Sequence, residues 1–166
     1  MTLAFRALPT SSTCASTVAD TAIICVGNPT RSDDALGPIV ADELNQRHLG
    51  VPIHLSDGEP GQLLELWNQL ERVVVVDAVV TGLGDPGTIH VLNAAEPLPV
   101  VSQASTHGVG LAESIELGRS LQRLPADLRV VGVEARSFEP GTRLSPGVRA
   151  AVPRVVTRVI AELQRA

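Results

Sequence analysis

The stretch Thr21-Ala22-Ile23-Ile24-Cys25-Val26-Gly27-Asn28-Pro29-Thr30-Arg31-Ser32-Asp33-Asp34 decides the fold. Its first six residues are apolar on both sides of a two-residue period, as in a strand covered by helices on each face. Its last eight leave that strand through a turn and bring two adjacent carboxylates to the exit. The pattern recurs. Asp77 follows Val73-Val74-Val75-Val76, and His107 stands after Ser105-Thr106 where a helical pattern opens. In an open α/β sheet the carboxyl ends of the strands border one crevice, so polar residues far apart in sequence can meet there. Asp34, Asp77 and His107 together would make one carboxylate-rich metal site.

Working outward, strand-like runs rich in Val and Ile are expected at about 21–27, 52–56, 72–79, 88–92 and 128–134. Apolar stripes of helical period lie between them. Residues 34–48 align Leu36, Ile39, Val40 and Leu44, and residues 61–70 align Leu63, Leu64, Trp67 and Leu70. Similar stripes run through 108–123 and 145–165, the last opened by Ser145-Pro146 as N-cap and first-turn residue. Pro153 should kink this final helix or divide it in two. The order β-α-β-α-β-β-α-β-α predicts a three-layer αβα protein with a five-stranded, mostly parallel sheet. Only about eight residues, 80–87, separate the third and fourth strands. A parallel crossover needs a dozen or more, so the fourth strand is expected to be antiparallel.

At 166 residues and 44% hydrophobic, one domain over residues 20–166 is expected, preceded by a flexible extension at 1–19. Thirteen basic residues, all Arg, against 18 acidic ones give a net charge of −5, which argues against a nucleic-acid surface or a polybasic membrane patch. The first twenty residues lack the apolar run of a signal peptide, and no later run approaches the length of a membrane span. A cytoplasmic protein, monomeric and without membrane insertion, is the expectation. Cys14 and Cys25 form no Cys-x-x-Cys pair, and Cys25 reads as a small buried hydrophobe.

Each polar residue has a plainer reading beside the functional one. Acidic residues in a first helical turn commonly cap it, a role that suits Asp33 better than Asp34. Asp77 resists that explanation, because a carboxylate at the edge of a buried strand is costly unless paired or metal-bound. His107 standing alone would be an ordinary histidine at a helix start. His48, His54 and His90 match no motif and read as surface or strand residues. Gly-x-Ser-x-Gly and His-Glu-x-x-His are missing from the sequence, and Gly27, at the exit of the first strand, lacks the following glycines of Gly-x-Gly-x-x-Gly.

From about residue 21 to 164 the chain resembles the hydrogenase maturation proteases. The resemblance rests on Gly27-Asn28 with Asp33-Asp34, Asp57-Gly58 with Gly61-Gln62-Leu63-Leu64, and Val76-Asp77-Ala78. It continues through Asp85-Pro86-Gly87-Thr88, Thr106-His107-Gly108-Val109-Gly110-Leu111, and Ser137-Phe138-Glu139-Pro140-Gly141 with Leu144-Ser145-Pro146. It implies an endopeptidase that trims the C-terminus of a nickel-iron hydrogenase large-subunit precursor. Asp34, Asp77 and His107 would then be the catalytically required set that recognises nickel, with the metal supplied by the substrate and zinc or cadmium as surrogates. It also implies a substrate-handling loop at Asp57, Gly58 and Gly61. Two departures stand out: Ala35 occupies a position where the family usually has Gly, and Glu59-Pro60 replace its commoner Gly-Thr. Two rival readings remain, a peptidase or amidase that keeps its own zinc and a metal-binding assembly factor that cleaves nothing.

Overall fold

The protein is described from a computed structural model that covers residues 20–94 and 108–165. The expected extension at 1–19, Cys14 and His107 lie outside those residues. Five strands, β1 (Thr21–Val26), β2 (Ile53–Ser56), β3 (Arg72–Val79), β4 (Ile89–Asn93) and β5 (Asp127–Glu134), form one sheet in the order β2-β1-β3-β5-β4. Four helices accompany them: α1 (Leu36–Asn45), α2 (Pro60–Leu66), α3 (Gly108–Ser120) and α4 (Pro146–Leu163).

Strand alternation divides the core into two layers. In β3, Val74, Val76 and Ala78 face α1 and α4, where they meet Leu36, Val40, Val148 and Val155. Val73 and Val75 face the other way, against Leu63 and Trp67 of the α2 segment and Ile115 of α3. All four valines are fully buried, which is why the run shows no polar alternation. Cys25 lies in the first layer, and burial pushes its thiol up to about 12, so it packs as a hydrophobe and is no nucleophile at neutral pH.

β4 is antiparallel, as its short connection requires, yet its partner is β5 and not β3. β5 lies between the two, paired in parallel with β3. Crossing two strand spacings takes about 10 Å, which the β3–β4 loop spans easily, so a short connection decides direction without deciding adjacency.

Three further details differ from the sequence expectation. The helix expected from residue 34 begins as a short 3-10 turn, Ser32–Ala35, before α1 proper. Pro153 does not divide α4, which runs unbroken from Pro146 to Leu163 with the proline on its exposed side, where water can satisfy the carbonyl that a proline leaves without a donor. Ser145 holds the N-cap position of α4, but its hydroxyl makes no cap and donates to Asp33 instead.

α1 lies very close to the end of β1. A Cβ placed on Gly37 would sit 2.0 Å from the Val26 carbonyl oxygen. Alanine there would gain about 1 kcal/mol in helix propensity but would have to push α1 off the sheet, at a cost of about 3 kcal/mol. Sterics should win: Gly37→Ala is expected to lose about 2 kcal/mol, read as a fall in Tm of roughly 4–8 °C.

Candidate active site

β1 leads to β2 on one side, while β3 lies on the other, so the carboxyl ends of β1 and β3 border the point where the strand order reverses. Crevices at such points are the usual ligand sites of open α/β sheets. Asp34 follows β1 in the turn Ser32–Ala35, and Asp77 lies near the carboxyl end of β3, two residues before Val79.

Gly27 is the hinge of the first loop. Its φ is +148°, and a Cβ there would meet the Asp34 carbonyl oxygen at 2.0 Å and the Asp34 Oδ1 at 3.4 Å. The loop thereby folds back and holds Asp34 against the strand end, where the residue is 5% exposed. Asp77 is 2% exposed, on the same face of β3 as Val73 and Val75. Its Oδ2 is buried without a hydrogen-bond partner among the described residues. Burial, and then the charge of Asp34, raise the Asp77 pKa well above the carboxylate range, against a smaller opposing effect of a hydrogen bond from the Ala78 backbone. Two buried carboxylates separated by 43 residues in sequence therefore sit close enough to repel each other.

Asp33 does something different from its neighbour. It caps no helix of its own, since the turn at Ser32–Ala35 has no side-chain cap. Its fully buried carboxylate instead accepts from the backbone N–H of Arg136 at 2.8 Å, Ser137 at 3.3 Å and Ser145 at 2.6 Å, and from the Ser145 hydroxyl at 2.9 Å. It ties the segment after β5 and the start of α4 to the loop that carries Asp34. The expected capping role is thus replaced by a tertiary clamp across more than 100 residues.

The Asp57 loop borders the same edge. Asp57 is exposed, and its Oδ1 accepts from the Glu59 backbone N–H at 3.2 Å. Gly58 adopts a φ of +87°, which favours glycine, and its N–H donates to the Ser56 hydroxyl. Glu59 caps α2 by accepting from Gly61 N–H at 3.0 Å and Gln62 N–H at 2.7 Å, with Pro60 in the first turn. The Glu59-Pro60 departure is thus a working helix start. At Gly110 a Cβ would meet the Gly58 carbonyl oxygen at 2.4 Å, so the first turns of α3 pack directly on this loop. His107 immediately precedes α3 in sequence but lies outside the described residues. Among the described residues, no group of three or more His, Cys, Asp or Glu side chains could hold a metal ion.

One cluster at this edge was not anticipated. Glu134, at the end of β5, is 2% exposed and accepts from Thr81 N–H, Thr81 Oγ1, Gly82 N–H and His90 Nε2 at 2.8, 2.6, 2.9 and 3.1 Å. Burial disfavours its charge, but the bonds from Thr81, Gly82 and His90 together outweigh that and hold its pKa below the ordinary value. His90 is therefore a partnered strand residue. The signal that marked Asp77, a carboxylate closing a valine-rich run, was equally present in Val130-Val131-Gly132-Val133-Glu134. Gly132 lies opposite both Asp77 in β3 and His90 in β4, and the missing side chain helps leave a cavity of about 50 Å³ beside Asp77.

An αβα sheet with paired carboxylates at its switch point defines a class of polar-cleft α/β proteins. Comparison with known proteins narrows it. A family model described as hydrogenase maturation protease matches residues 38–162. The hydrogenase 2 maturation protease of Escherichia coli (strain K12) is 30% identical over 147 residues, spanning 86% of this chain and 89% of that protein. The hydrogenase maturating endopeptidase HybD from E. coli superposes with a TM-score of 0.72 at 28% identity, covering 87% of this chain and 91% of that one. The NiFe hydrogenase maturation protease HybD from Thermococcus kodakarensis gives 0.68 at 22% identity, with 87% and 99% covered, a likeness of fold. The chain belongs to the hydrogenase maturation protease family, whose members are endopeptidases. No helix among the described residues is long and apolar enough to cross a membrane.

Proposed function

We propose that this protein removes the C-terminal extension of a NiFe-hydrogenase large-subunit precursor, and that Asp34, Asp77 and His107 engage the nickel already carried by that substrate. The observation that carries this reading is the buried carboxylate pair: Asp77 has an unpartnered oxygen and lies within the field of Asp34. Such a pair is costly in an empty crevice and is relieved by a divalent cation. Nickel accepts carboxylate oxygen and imidazole nitrogen and ranks high in affinity for such donors, so His107 would complete a set that leaves coordination positions to the substrate.

Because the metal arrives with the precursor, the site adds affinity only when nickel has been inserted. Precursor without nickel is left uncut, which makes nickel a checkpoint for processing. Asp57, Gly58 and Gly61 would steer the extended substrate along the neighbouring edge, with Gly58 fixing the loop against α3. The experiment is co-incubation with purified large-subunit precursor, loaded or unloaded with nickel, read by intact mass. The loaded form should lose its C-terminal peptide and the unloaded form should keep it. Equal cleavage of the two would remove the nickel-recognition part of the reading.

A further inference from the structure

A groove of about 490 Å³ runs between α1 and α4, away from the crevice that holds Asp77. Ile39, Leu144 and Val152 give it an apolar floor, and Arg47, Arg143 and Arg149 border it. The three arginines are exposed, and none of them forms an ion pair among the described residues. Glu43 alone opposes them on the lining. Arg149 Nη2 donates to the Leu144 carbonyl at 3.3 Å, which fixes this guanidinium at the groove, whereas Arg72 and Arg129 pair with Asp127, Arg119 with Glu116, and Arg158 and Arg165 with Glu162.

The chain as a whole carries a net charge of −5, so its general field repels an acidic polypeptide. The lining of this groove departs from that balance, with three Arg against one Glu. Guanidinium groups take carboxylates in paired hydrogen bonds, and three of them over an aliphatic floor suit a segment in which acidic residues alternate with apolar ones. The groove is also connected to the active site. Its wall at Thr142–Leu144 leads straight into Ser145, which Asp33 clamps beside Asp34. On the other side, Gly141 pairs with the loop through its N–H to the Thr30 carbonyl and accepts from Ser32 N–H.

We propose that the groove between α1 and α4 docks an acidic, aliphatic-containing segment of the precursor, outside the bond that is cut. The proposal rests on the protease reading for the identity of the partner. Docking at this distance holds the precursor by charge while its C-terminus searches the crevice, so it acts on substrate affinity and leaves the chemical step alone.

Two measurements test it. Nickel-free precursor, which the checkpoint leaves intact, is titrated by calorimetry into wild-type protein and into Arg47→Glu/Arg143→Glu. The double reversal is expected to raise Kd about tenfold at low salt, the scale of two exposed ion pairs turned from attraction to repulsion. Raising sodium chloride from about 50 to about 500 mM should weaken wild-type binding and leave the variant nearly unchanged, while Arg47→Lys/Arg143→Lys should retain most of the affinity. With nickel-loaded precursor, the reversal should raise KM and leave kcat alone. Circular dichroism checks that the variants are folded. An unchanged Kd in the folded reversal variant overturns the proposal. So does binding of inorganic phosphate to the wild type with no loss of precursor affinity in the variant, which would mark a small-anion site. If loaded precursor is never cut but its binding still depends on these arginines, the docking groove stands and the protease reading falls.

Discussion

Asp77→Asn is expected to abolish C-terminal trimming of nickel-loaded precursor, a loss of at least about a thousandfold, while raising the thermal stability of the protein. The substitution keeps shape and volume but removes the charge that would bind the substrate's metal, so the loss should appear in the cleavage rate and not in the fold. The stability gain follows from burial. The native state holds a proton on Asp77 at pH values where the unfolded chain, with an ordinary carboxylate near pKa ~3.9, has lost it. Native protein therefore binds more protons than unfolded protein across that interval, and wild-type stability declines as pH rises from about 4 toward the raised native value. Asparagine cannot ionise, so this component of the slope should vanish. Thermal melts at several pH values would show it, with a Tm at neutral pH higher by at least roughly 2 °C, the shift given by about 1 kcal/mol in a domain this size. A variant that cleaves at the wild-type rate would remove Asp77 from the mechanism. One that melts lower at neutral pH would show that the Ala78 hydrogen bond outweighs the burial cost.

Asp33→Ala should be the most damaging single change to stability among those considered. Its carboxylate serves three backbone N–H groups and one hydroxyl from the segment after β5 and the start of α4. Removing it strands three half-buried donors at about 1 kcal/mol each, the low end of the range because water can reach part of the cluster. A loss of about 3 kcal/mol, or roughly 6–12 °C in Tm, is expected by calorimetric melting. Asp33→Asn, which keeps one acceptor oxygen, should lose less. A change below about 2 °C in Asp33→Ala would mean that the neighbouring loop pairing through Gly141 suffices to hold the two segments together.

Strand and helix positions were legible in the sequence because their causes are local. Val73 to Val76 are apolar on both faces wherever they are placed, and only a strand covered on each side buries all four. The antiparallel direction of β4 followed from chain length alone. Its partner did not, since β3 and β5 are equally good apolar neighbours by composition and the choice depends on where α3 returns the chain. The N-cap of α4 shows the same limit. Ser145-Pro146 marked the helix start correctly, yet the serine hydroxyl found a stronger acceptor in Asp33, 112 residues away.

The site divides along the same line. By itself the sequence determined that Asp34 and Asp77 come after apolar strand-forming runs, because a carboxylate that follows such a run is visible without the fold. It also determined the order of motifs by which the family is known. Only the tertiary structure decided that Asp34 lies within the field of Asp77 while the adjacent Asp33 turns to clamp α4, and that Glu134 and His90 pair at the same edge. Adjacent residues in a tight turn point in different directions, and their partners lie on elements brought near by sheet order and helix packing. Those pairings depend on distances across the fold, which no local periodicity records.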